Sequence, residues 1–293
     1  MRAIVFGAGG QLGCDLVAQL RNRGVSVVAA GRKKIDITVA EAVEALVDRH
    51  RPEWIFNAAA YNLVDKAESE PLRAMEVNGL AVRSIAQAAQ KVGAALLHYS
   101  TDHVFDGRKK EPYTEDDVPF PPSAYGVSKL AGEHYARISC ERAYVVRVAG
   151  VFGPAGRYTN RGNFPELVLK KAAAGEPLKV VNDFFASPTY AVPLAARSIE
   201  LLERAEPGLF HIGGGETISW FDYAKKILEV AGLETDLQPT NRHEYMTPAG
   251  RPRYAGLANK KLEALGLEPM PDLSESLPDY LKRRETTPRP SEL

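Results

Sequence analysis

Tyr125 and Lys129 are the first residues in this sequence whose types and spacing suggest chemistry, and they lie four positions apart in YGVSK. On an α-helix this spacing places both side chains on one face, one turn apart. An ammonium group near a phenol favours the phenolate and lowers the phenol pKa from its usual value of about 10. Such a tyrosine can exchange a proton with a reacting oxygen near neutral pH, and the hydroxyl of Thr101 can hydrogen-bond the same oxygen. By itself the spacing also fits a tyrosine packed beneath a solvated lysine, so the surrounding motifs decide between the two.

A glycine-rich turn near the start of the chain indicates a dinucleotide site. The apolar run Ala3–Phe6 is followed by GAGGQLG at positions 7–13 and then by an amphipathic helical pattern. In a strand–turn–helix unit of this kind, Gly7 permits the tight turn and Gly10 lets the backbone approach a pyrophosphate. Gly13 lets helix and strand pack closely. The helix N-terminus then presents free N–H groups and the positive end of its dipole to the phosphates.

The residues after the second expected strand favour NADPH over NADH, although NADH stays possible. Sites that select NAD place an acidic residue there to hold the ribose hydroxyls. This chain has Arg32 and Lys33 instead, which can pair with a 2′-phosphate. The alternative is a solvated basic loop with no ligand. We expect Asp36 to end a short third strand beside the adenine.

Further polar and small residues are expected at the carboxyl ends of the strands, beside the glycine-rich turn. Ala58 and Ala59 end an apolar run from Trp54 to Ala60 and leave room for a cofactor. A strand over 94–99 delivers Thr101 and Asp102, while the helix predicted over 70–91 carries Asn78. Strand ends and the following helix therefore assemble one candidate site.

The alternation of strand and helix patterns predicts an α/β fold, a Rossmann-type doubly wound parallel sheet with a smaller, interleaved C-terminal substrate lobe. We expect residues 1–150 to form the dinucleotide-binding domain, with 178–212 returning to it. Residues 151–177 and 213–293 then form the substrate lobe. Within that lobe Arg251 and Arg253 suit an anionic group such as a diphosphate, although surface arginines are equally common.

Composition excludes several other classes. The 293 residues carry 37 basic and 37 acidic side chains, so no net charge attracts nucleic acid. No apolar run is long enough to span a bilayer, and the first residues resemble a strand rather than a signal peptide. The two cysteines show no metal-ligand spacing, so we expect no metal and a cytoplasmic enzyme.

Taken in order, the motifs resemble the extended short-chain dehydrogenase/reductase family, and within it the dTDP-4-dehydrorhamnose reductase branch. The motifs are GAGGQLG (7–13), NAAAYNLVDKAESEP (57–71), STDHVFDG (100–107), PYTEDD (112–117), YGVSKLAGE (125–133), SPTYA (187–191) and RPRYAGL (251–257). The resemblance implies three groups of site residues. Catalysis falls to Thr101, Tyr125 and Lys129, with Asn78 in a proton relay. Cofactor binding falls to Gly7, Gly10, Gln11, Leu12, Gly13, Asp36, Ala58, Ala59 and Tyr61, beside Arg32 and Lys33, and also to Tyr125 and Lys129, of which Lys129 is expected to bond the nicotinamide ribose. Sugar-nucleotide binding falls to Asp102, Asn163, Arg251 and Arg253.

The implied reaction is reduction of the C4 ketone of a nucleotide-linked deoxysugar, with a dTDP-linked substrate and a monomer or homodimer as the acting form. Two departures from the branch lie in the substrate half. Gly150 stands where these reductases have a tryptophan that lines the sugar pocket, and Phe184 stands in place of their glutamine. Both changes alter the aromatic surface of the substrate half, so the identity of the sugar stays open. They do not affect the residues expected to bind the cofactor.

Three alternatives follow from the same resemblance. Related 4,6-dehydratases have Thr-Asp-Glu, but the third residue here is His103, which argues against water elimination. A reductase acting on a different keto-sugar nucleotide fits Gly150. A non-catalytic NADP-binding subunit, like the regulatory subunit of methionine adenosyltransferase, is disfavoured because a scaffold does not need Thr101, Tyr125 and Lys129 together.

Overall fold

A computed structural model describes residues 1–159 and 162–287 of the chain. Its centre is a parallel sheet of six strands in the order β2-β1-β3-β4-β5-β8. The strands of this sheet are β1 (Arg2–Phe6), β2 (Ser26–Ala30), β3 (Trp54–Asn57), β4 (Ala95–Thr101), β5 (Ala143–Val148) and β8 (Gly208–His211).

Helices cover both faces of the sheet. The helices are α1 (Gln11–Asn22), α2 (Ala40–His50), α3 (Val64–Ser69), α4 (Pro71–Met75), α5 (Ala81–Val92), α6 (Ala124–Ser139), α7 (Phe164–Ala173), α8 (Ala191–Arg204), α9 (Trp220–Ala231), α10 (Lys260–Ala264) and α11 (Leu273–Thr286). A π-helical turn, Glu76–Leu80, joins α4 to α5, and short 3₁₀ turns form at Asp102–Val104 and Pro154–Tyr158.

The two central strands β4 and β5 are buried along their whole length because helices cover both faces of the sheet. Most of their residues are apolar, as is typical of doubly wound sheets, and the polar exceptions include His98, Ser100 and Arg147. One core lies between the sheet and α1 and α8, and a second lies between the sheet and α2, α5 and α6. The predicted α/β class with a parallel, doubly wound sheet is confirmed.

The C-terminal half adds two small sheets and an apolar cluster of its own. The remaining strands are β6 (Leu178–Val181), β7 (Phe185–Ala186), β9 (Ile218–Ser219), β10 (Leu237–Thr240) and β11 (Tyr254–Ala255). Strand β6 pairs with β10, whereas β7 pairs with β9 and β11. Of the segment 178–212, β8 lies in the central sheet and β6 does not. The division into two lobes stays a prediction, and residues 288–293 of the expected substrate lobe lie outside the described residues.

Three local expectations were wrong. Residues 31–39 form turns, not a third strand, because the Asp36 carboxylate accepts hydrogen bonds from the Thr38 amide and hydroxyl and folds the chain directly into α2. Strand β3 ends at Asn57, so Ala58 and Ala59 lie in the following loop. The helix expected over 70–91 begins at Pro71, a favoured first helical residue, and is interrupted by the π turn around Asn78.

Among the described residues, no helix is both long and apolar enough to cross a bilayer. Over the same ranges, no three His, Cys, Asp or Glu side chains come together in a group that could hold a metal ion. Cys14 and Cys140 are both buried and are not joined by a disulfide.

Candidate active site

The glycine-rich turn is packed so tightly that only glycine fits at two of its positions. Gly7 has φ +75°, and a Cβ there would lie 2.6 Å from the carbonyl carbon of Ala58. A Cβ on Gly13 would overlap the carbonyl oxygen of Gly7. Gly10 is the N-cap of α1 and no side chain caps the helix, so the first-turn amides, including those of Gln11 and Leu12, receive no side-chain cap hydrogen bond. This uncapped, close-packed turn fits a pyrophosphate group.

The side chain of Gln11 connects the two halves of the chain. Its amide nitrogen donates to the carbonyl oxygen of Val151 at 2.8 Å, and its oxygen accepts from Asn163 Nδ2 at 3.2 Å. The Asn163 oxygen caps α7 by accepting from the Glu166 amide at 3.0 Å. In this structure Asn163 therefore holds the start of α7 against the glycine-rich turn.

Arg32 and Lys33 lie in the turn directly after β2, beside the glycine-rich turn. A Cβ on Gly31 would be 3.7 Å from the backbone nitrogen of Gly9, which places the two loops next to each other. Hydrogen bonds from Thr38, and then the positive charges of Arg73 and Arg32, lower the pKa of Asp36. The loop thus combines two exposed cations with one carboxylate that is already bonded within its own turn.

Asn78 connects the loop after β3 to the helix of the expected catalytic pair. Its oxygen accepts from the Tyr61 amide at 2.8 Å, and its nitrogen donates to the Tyr61 carbonyl at 2.9 Å and to Ser128 Oγ at 3.0 Å. Ser128 in turn donates to the carbonyl of Tyr125 at 2.7 Å. The Asn78 amide is buried, and the π turn that carries it is a feature often found at functional sites.

Tyr125 and Lys129 lie one turn apart on α6, which begins at the Ser123 cap. Tyr125 is buried, and the His103 ring packs edge-on against its ring with centroids 5.6 Å apart. Lys129 is 3% exposed, and its Nζ donates to the carbonyl oxygen of Tyr99 on β4. Burial lowers the pKa of Lys129 to about 8, while the negative charge of Glu133 acts in the opposite direction.

Thr101 is the last residue of β4, and its hydroxyl donates to Asp102 Oδ1 at 3.0 Å. Asp102 is buried, and this burial raises the pKa of its carboxyl to about 7. The structure thus brings Thr101, Tyr125 and Lys129 to the carboxyl end of β4, which is where doubly wound sheets bind their ligands.

The two arginines of the RPR motif are occupied by other protein groups. Arg251 forms a two-bonded ion pair with Asp65, with nitrogen–oxygen distances of 2.9 and 2.8 Å. Arg253 is exposed, and its Nε donates to the carbonyl of Asp183 at 3.4 Å. Ala249, in the same segment, belongs to the apolar cluster that contains Tyr125, so this stretch lies beside the expected catalytic tyrosine.

Gly150 lies beyond the end of β5 in a left-handed conformation, with φ +48°. A Cβ there would be 3.5 Å from the ring of Trp220, the first residue of α9, and 3.6 Å from Pro188. The Trp220 amide donates to the carbonyl of Phe184 at 3.1 Å, and its ring packs edge-on against Phe164. An aromatic ring contributed by α9 therefore borders the position where the resemblance expected one from residue 150.

Sequence reasoning missed a buried polar cluster behind the expected catalytic pair. Glu133, one turn beyond Lys129, bonds Ser100 of β4 and Arg147 of β5. The signal was present, since Glu133 ends the YGVSKLAGE motif at helical spacing from Lys129. No sequence pattern identifies its partners, because they come from two other elements.

Comparison with known proteins adds relatives that match most of the chain. Residues 1–286 match the family model described as the RmlD substrate binding domain. The spore coat polysaccharide biosynthesis protein SpsK of Bacillus subtilis is 35% identical over 97% of this chain and 98% of its own length. The dTDP-4-dehydrorhamnose reductase of Streptomyces griseus is 37% identical over 94% of this chain and 93% of its own.

Among solved structures, dTDP-4-dehydrorhamnose reductase from Bacillus anthracis, in complex with NADP, superposes with a TM-score of 0.92 at 33% identity. The match covers 96% of this chain and 99% of that one. Both fold and sequence are thus similar to these proteins over nearly their full length.

Proposed function

The chain belongs to the RmlD substrate-binding-domain family, and from this premise we propose that it is an NADPH-dependent reductase of the C4 ketone of dTDP-4-dehydrorhamnose. The observation that carries the proposal is the meeting of three features at one edge of the sheet. These are the uncapped glycine-rich turn, Thr101 at the end of β4 and the Tyr125–Lys129 face of α6. The named activity of the Streptomyces griseus relative and the NADP bound to the Bacillus anthracis enzyme support the same reaction.

Backbone amides bind the pyrophosphate of the cofactor, and charged side chains bind its 2′-phosphate. The amides of Gln11, Leu12 and Gly13 bind the pyrophosphate at the N-terminus of α1. Arg32 and Lys33 pair with the 2′-phosphate, and Asp36, Ala58, Ala59 and Tyr61 border the adenosine half. When bound, the reduced nicotinamide supplies the hydride.

Tyr125 donates the proton that the C4 oxygen needs as the ketone becomes an alcohol. The Lys129 ammonium stabilises the phenolate that remains, because opposite charges close together in a dry site interact strongly. Asn78 holds the Tyr125 backbone through Ser128. Its part in a proton relay is what the family resemblance implies.

Thr101 orients the ketone by donating its hydroxyl hydrogen to the C4 oxygen. In this structure that hydrogen points to Asp102. Since burial raises the Asp102 pKa to about 7, its neutral acid form can donate to Thr101 and release the threonine hydrogen for the substrate. In many enzymes, hydrogen-bond donors placed where negative charge develops in the transition state make the largest contribution to the rate enhancement.

The sugar nucleotide occupies the space between the RPR segment and the end of β5. Arg251 and Arg253 bind the diphosphate, so the substrate replaces Asp65 as the partner of Arg251. Asp102 lies beside Thr101 at the end of β4, whereas Asn163 bonds Gln11 at the glycine-rich turn, so the contact of Asn163 with the sugar nucleotide stays a prediction. A reduced compartment such as the cytoplasm suits the two unpaired cysteines and the reduced cofactor.

A second candidate is the reduction of a different keto-sugar nucleotide. Gly150 has no side chain at a position next to Trp220 and Pro188, so the surface expected to contact the sugar differs there from one that carries a tryptophan. The cofactor half is unaffected by this difference, so the chemistry stays the same while the preferred sugar changes.

The test is the loss of reduced-nicotinamide absorbance with pure protein, NADPH or NADH, and enzymatically generated dTDP-4-keto-6-deoxy-L-lyxo-hexulose. We expect rapid loss, faster with NADPH, and a fall in kcat of at least about 100-fold for Tyr125→Phe with unchanged NADPH affinity. Activity retained by Tyr125→Phe would contradict the assigned role. Turnover only with other keto-sugar nucleotides would favour the second candidate, and tight NADPH binding without turnover of any would favour a non-catalytic subunit.

A further inference from the structure

We propose that Glu133 is a positioning residue of this active site, which clamps α6 to the ends of β4 and β5 and supplies the counter-charge for Lys129. The inference rests on the proposed function, because it assigns Glu133 to the machinery of that reaction. Glu133 is 4% exposed and lies one turn beyond Lys129 on the same helix. It has no route to the ketone and acts only through its neighbours.

The clamp consists of three hydrogen bonds to one buried carboxylate. Oε1 accepts from Ser100 Oγ at 2.5 Å and from Arg147 Nε at 2.9 Å, and Oε2 accepts from Arg147 Nη2 at 2.7 Å. Ser100 precedes Thr101 on β4, and Arg147 lies opposite Ser100 in the β4–β5 register. The carboxylate therefore joins the helix of Tyr125 and Lys129 to the strand that ends in Thr101.

Sliding α6 along the sheet would break all three bonds and leave buried charges without partners. Such a loss is costly, because a buried charged group that loses its partner is not rehydrated. Arg147 is only 2% exposed and its guanidinium also lies over the Phe105 ring, at 5.0 Å from the centroid. The partner of Glu133 is thus fixed from a second side, and the clamp holds a defined distance between Thr101 and α6.

The same carboxylate favours the charged form of Lys129, against the effect of burial. The titratable groups that the structure places beside Lys129 are Tyr125 and Glu133, one turn away in each direction on α6, and His98 on β4, while Arg147 on β5 lies beyond Glu133 as the partner of its carboxylate. Burial, and then the Lys129 charge, hold the pKa of His98 well below its usual value, so His98 is neutral near pH 7. Burial likewise lowers the Lys129 pKa, and Glu133 is the negative group that opposes this effect.

The deciding variant is Glu133→Gln, which keeps an oxygen for Ser100 and removes the charge. The readout is the titration of Lys129 by NMR in the cofactor-free protein with ¹³C-labelled lysine, the signal being assigned with Lys129→Met. In the wild type we expect a midpoint of about 8. In Glu133→Gln it should fall by about 1 pH unit, since loss of an opposite charge disfavours the ammonium. The basic limb of the kcat/KM profile should move by the same amount.

A second variant separates positioning from stability. Glu133→Gln alone leaves Arg147 as a lone buried cation and can unfold the protein, whereas Glu133→Gln with Arg147→Met removes both charges. The double variant should fold and show a Lys129 midpoint that is still below the wild-type value, but by less than in Glu133→Gln, because the repulsion between Arg147 and Lys129 is lost as well. The matched control is Glu200→Gln, which breaks the ion pair to the buried Arg197 on the opposite face of the sheet and should leave the Lys129 midpoint unchanged.

A Lys129 midpoint that stays at the wild-type value in the folded Glu133 variants would overturn the proposal and reduce the cluster to a structural ion pair. Because the titration uses neither cofactor nor substrate, its outcome is independent of turnover. A protein that shows the shift but reduces no keto-sugar nucleotide would count against the proposed function and not against the link between Glu133 and Lys129.

Discussion

At the scale of single residues, the proposed chemistry depends on groups whose pKa values are shifted by burial in the fold. Lys129 and Asp102 are both buried, and burial moves their pKa values toward neutrality from opposite sides, to about 8 and about 7. Below about pH 7 the lysine is charged and the aspartic acid is mostly neutral, which is the form that the proposed role of Asp102 uses. The Tyr125–Lys129 spacing together with the surrounding motifs pointed to Lys129, whereas the change at Asp102 follows from tertiary burial that no local pattern reveals.

The cofactor preference also belongs to this scale. Arg32→Ser removes a cation that we expect to pair with the 2′-phosphate, so the Kd for NADPH should rise about 10-fold while that for NADH stays within about 2-fold. Arg83→Ser, an exposed arginine on α5, is the matched control and should change neither Kd. Fluorescence titration of the bound nicotinamide measures both values. Equal losses for NADPH and NADH would show that Arg32 does not recognise the extra phosphate.

At the scale of elements, α1 and α11 meet around a carboxyl group that lacks a hydrogen-bond partner. Asp15 lies on α1, and its Oδ2 is shielded from solvent without a partner among the described residues. Burial raises its pKa from 3.8 to about 7, while Arg283 on α11 lowers it and Asp279 raises it. The folded protein therefore holds this proton more tightly than the unfolded chain, and stability falls as the pH rises from about 4 to about 7.

Asp15→Asn should remove this dependence. We expect its gain in the free energy of unfolding, relative to wild type, to be larger at about pH 8 than at about pH 5 by roughly 1–2 kcal/mol. Asp116→Asn, at an exposed carboxylate, should show no such difference. Urea unfolding at the two pH values measures it. A gain that does not depend on pH would mean that Asp15 is not protonated in the folded protein.

Several elements were predictable because they obey local rules. The glycine-rich turn, the strands of the central sheet and α6 follow from apolar runs, glycine spacing and a serine cap. The expected third strand was not formed, because the side chain of Asp36 bonds Thr38 and closes a turn. The π turn at Asn78 depends on contacts with Tyr61 and Ser128, which are distant in sequence.

At the scale of the whole molecule, the N-terminal and C-terminal halves of the sequence contribute side chains to the same core. The core on one face of the sheet includes Leu16 of α1, Leu194 of α8, Leu262 of α10 and Met270. Residues from both ends of the sequence thus share one apolar core. The parallel arrangement of the sheet followed from the alternation of strand and helix patterns, but the order of its strands and this sharing of a core did not, since both depend on which surfaces meet in space.

A shared core predicts cooperative unfolding. Calorimetry should show one transition, with a calorimetric enthalpy equal to the van't Hoff value. NADPH at about 100 times its Kd should stabilise the protein by about 2.7 kcal/mol and shift the whole transition. Two transitions, only one of which moves with NADPH, would instead indicate that the C-terminal half unfolds as an independent unit.

The most direct experiment follows the hydride itself. The protein is incubated with dTDP-4-dehydrorhamnose and NADPH that carries deuterium at C4 of the nicotinamide, prepared separately with each of its two faces labelled, and the product is examined by NMR. One labelled face should transfer deuterium to C4 of the sugar, giving a dTDP-6-deoxyhexose with no proton signal at that carbon, and Tyr125→Phe should form almost none. Recovery of the keto sugar with all deuterium still on the cofactor, or deuterium at any other sugar carbon, would contradict a C4 ketone reductase.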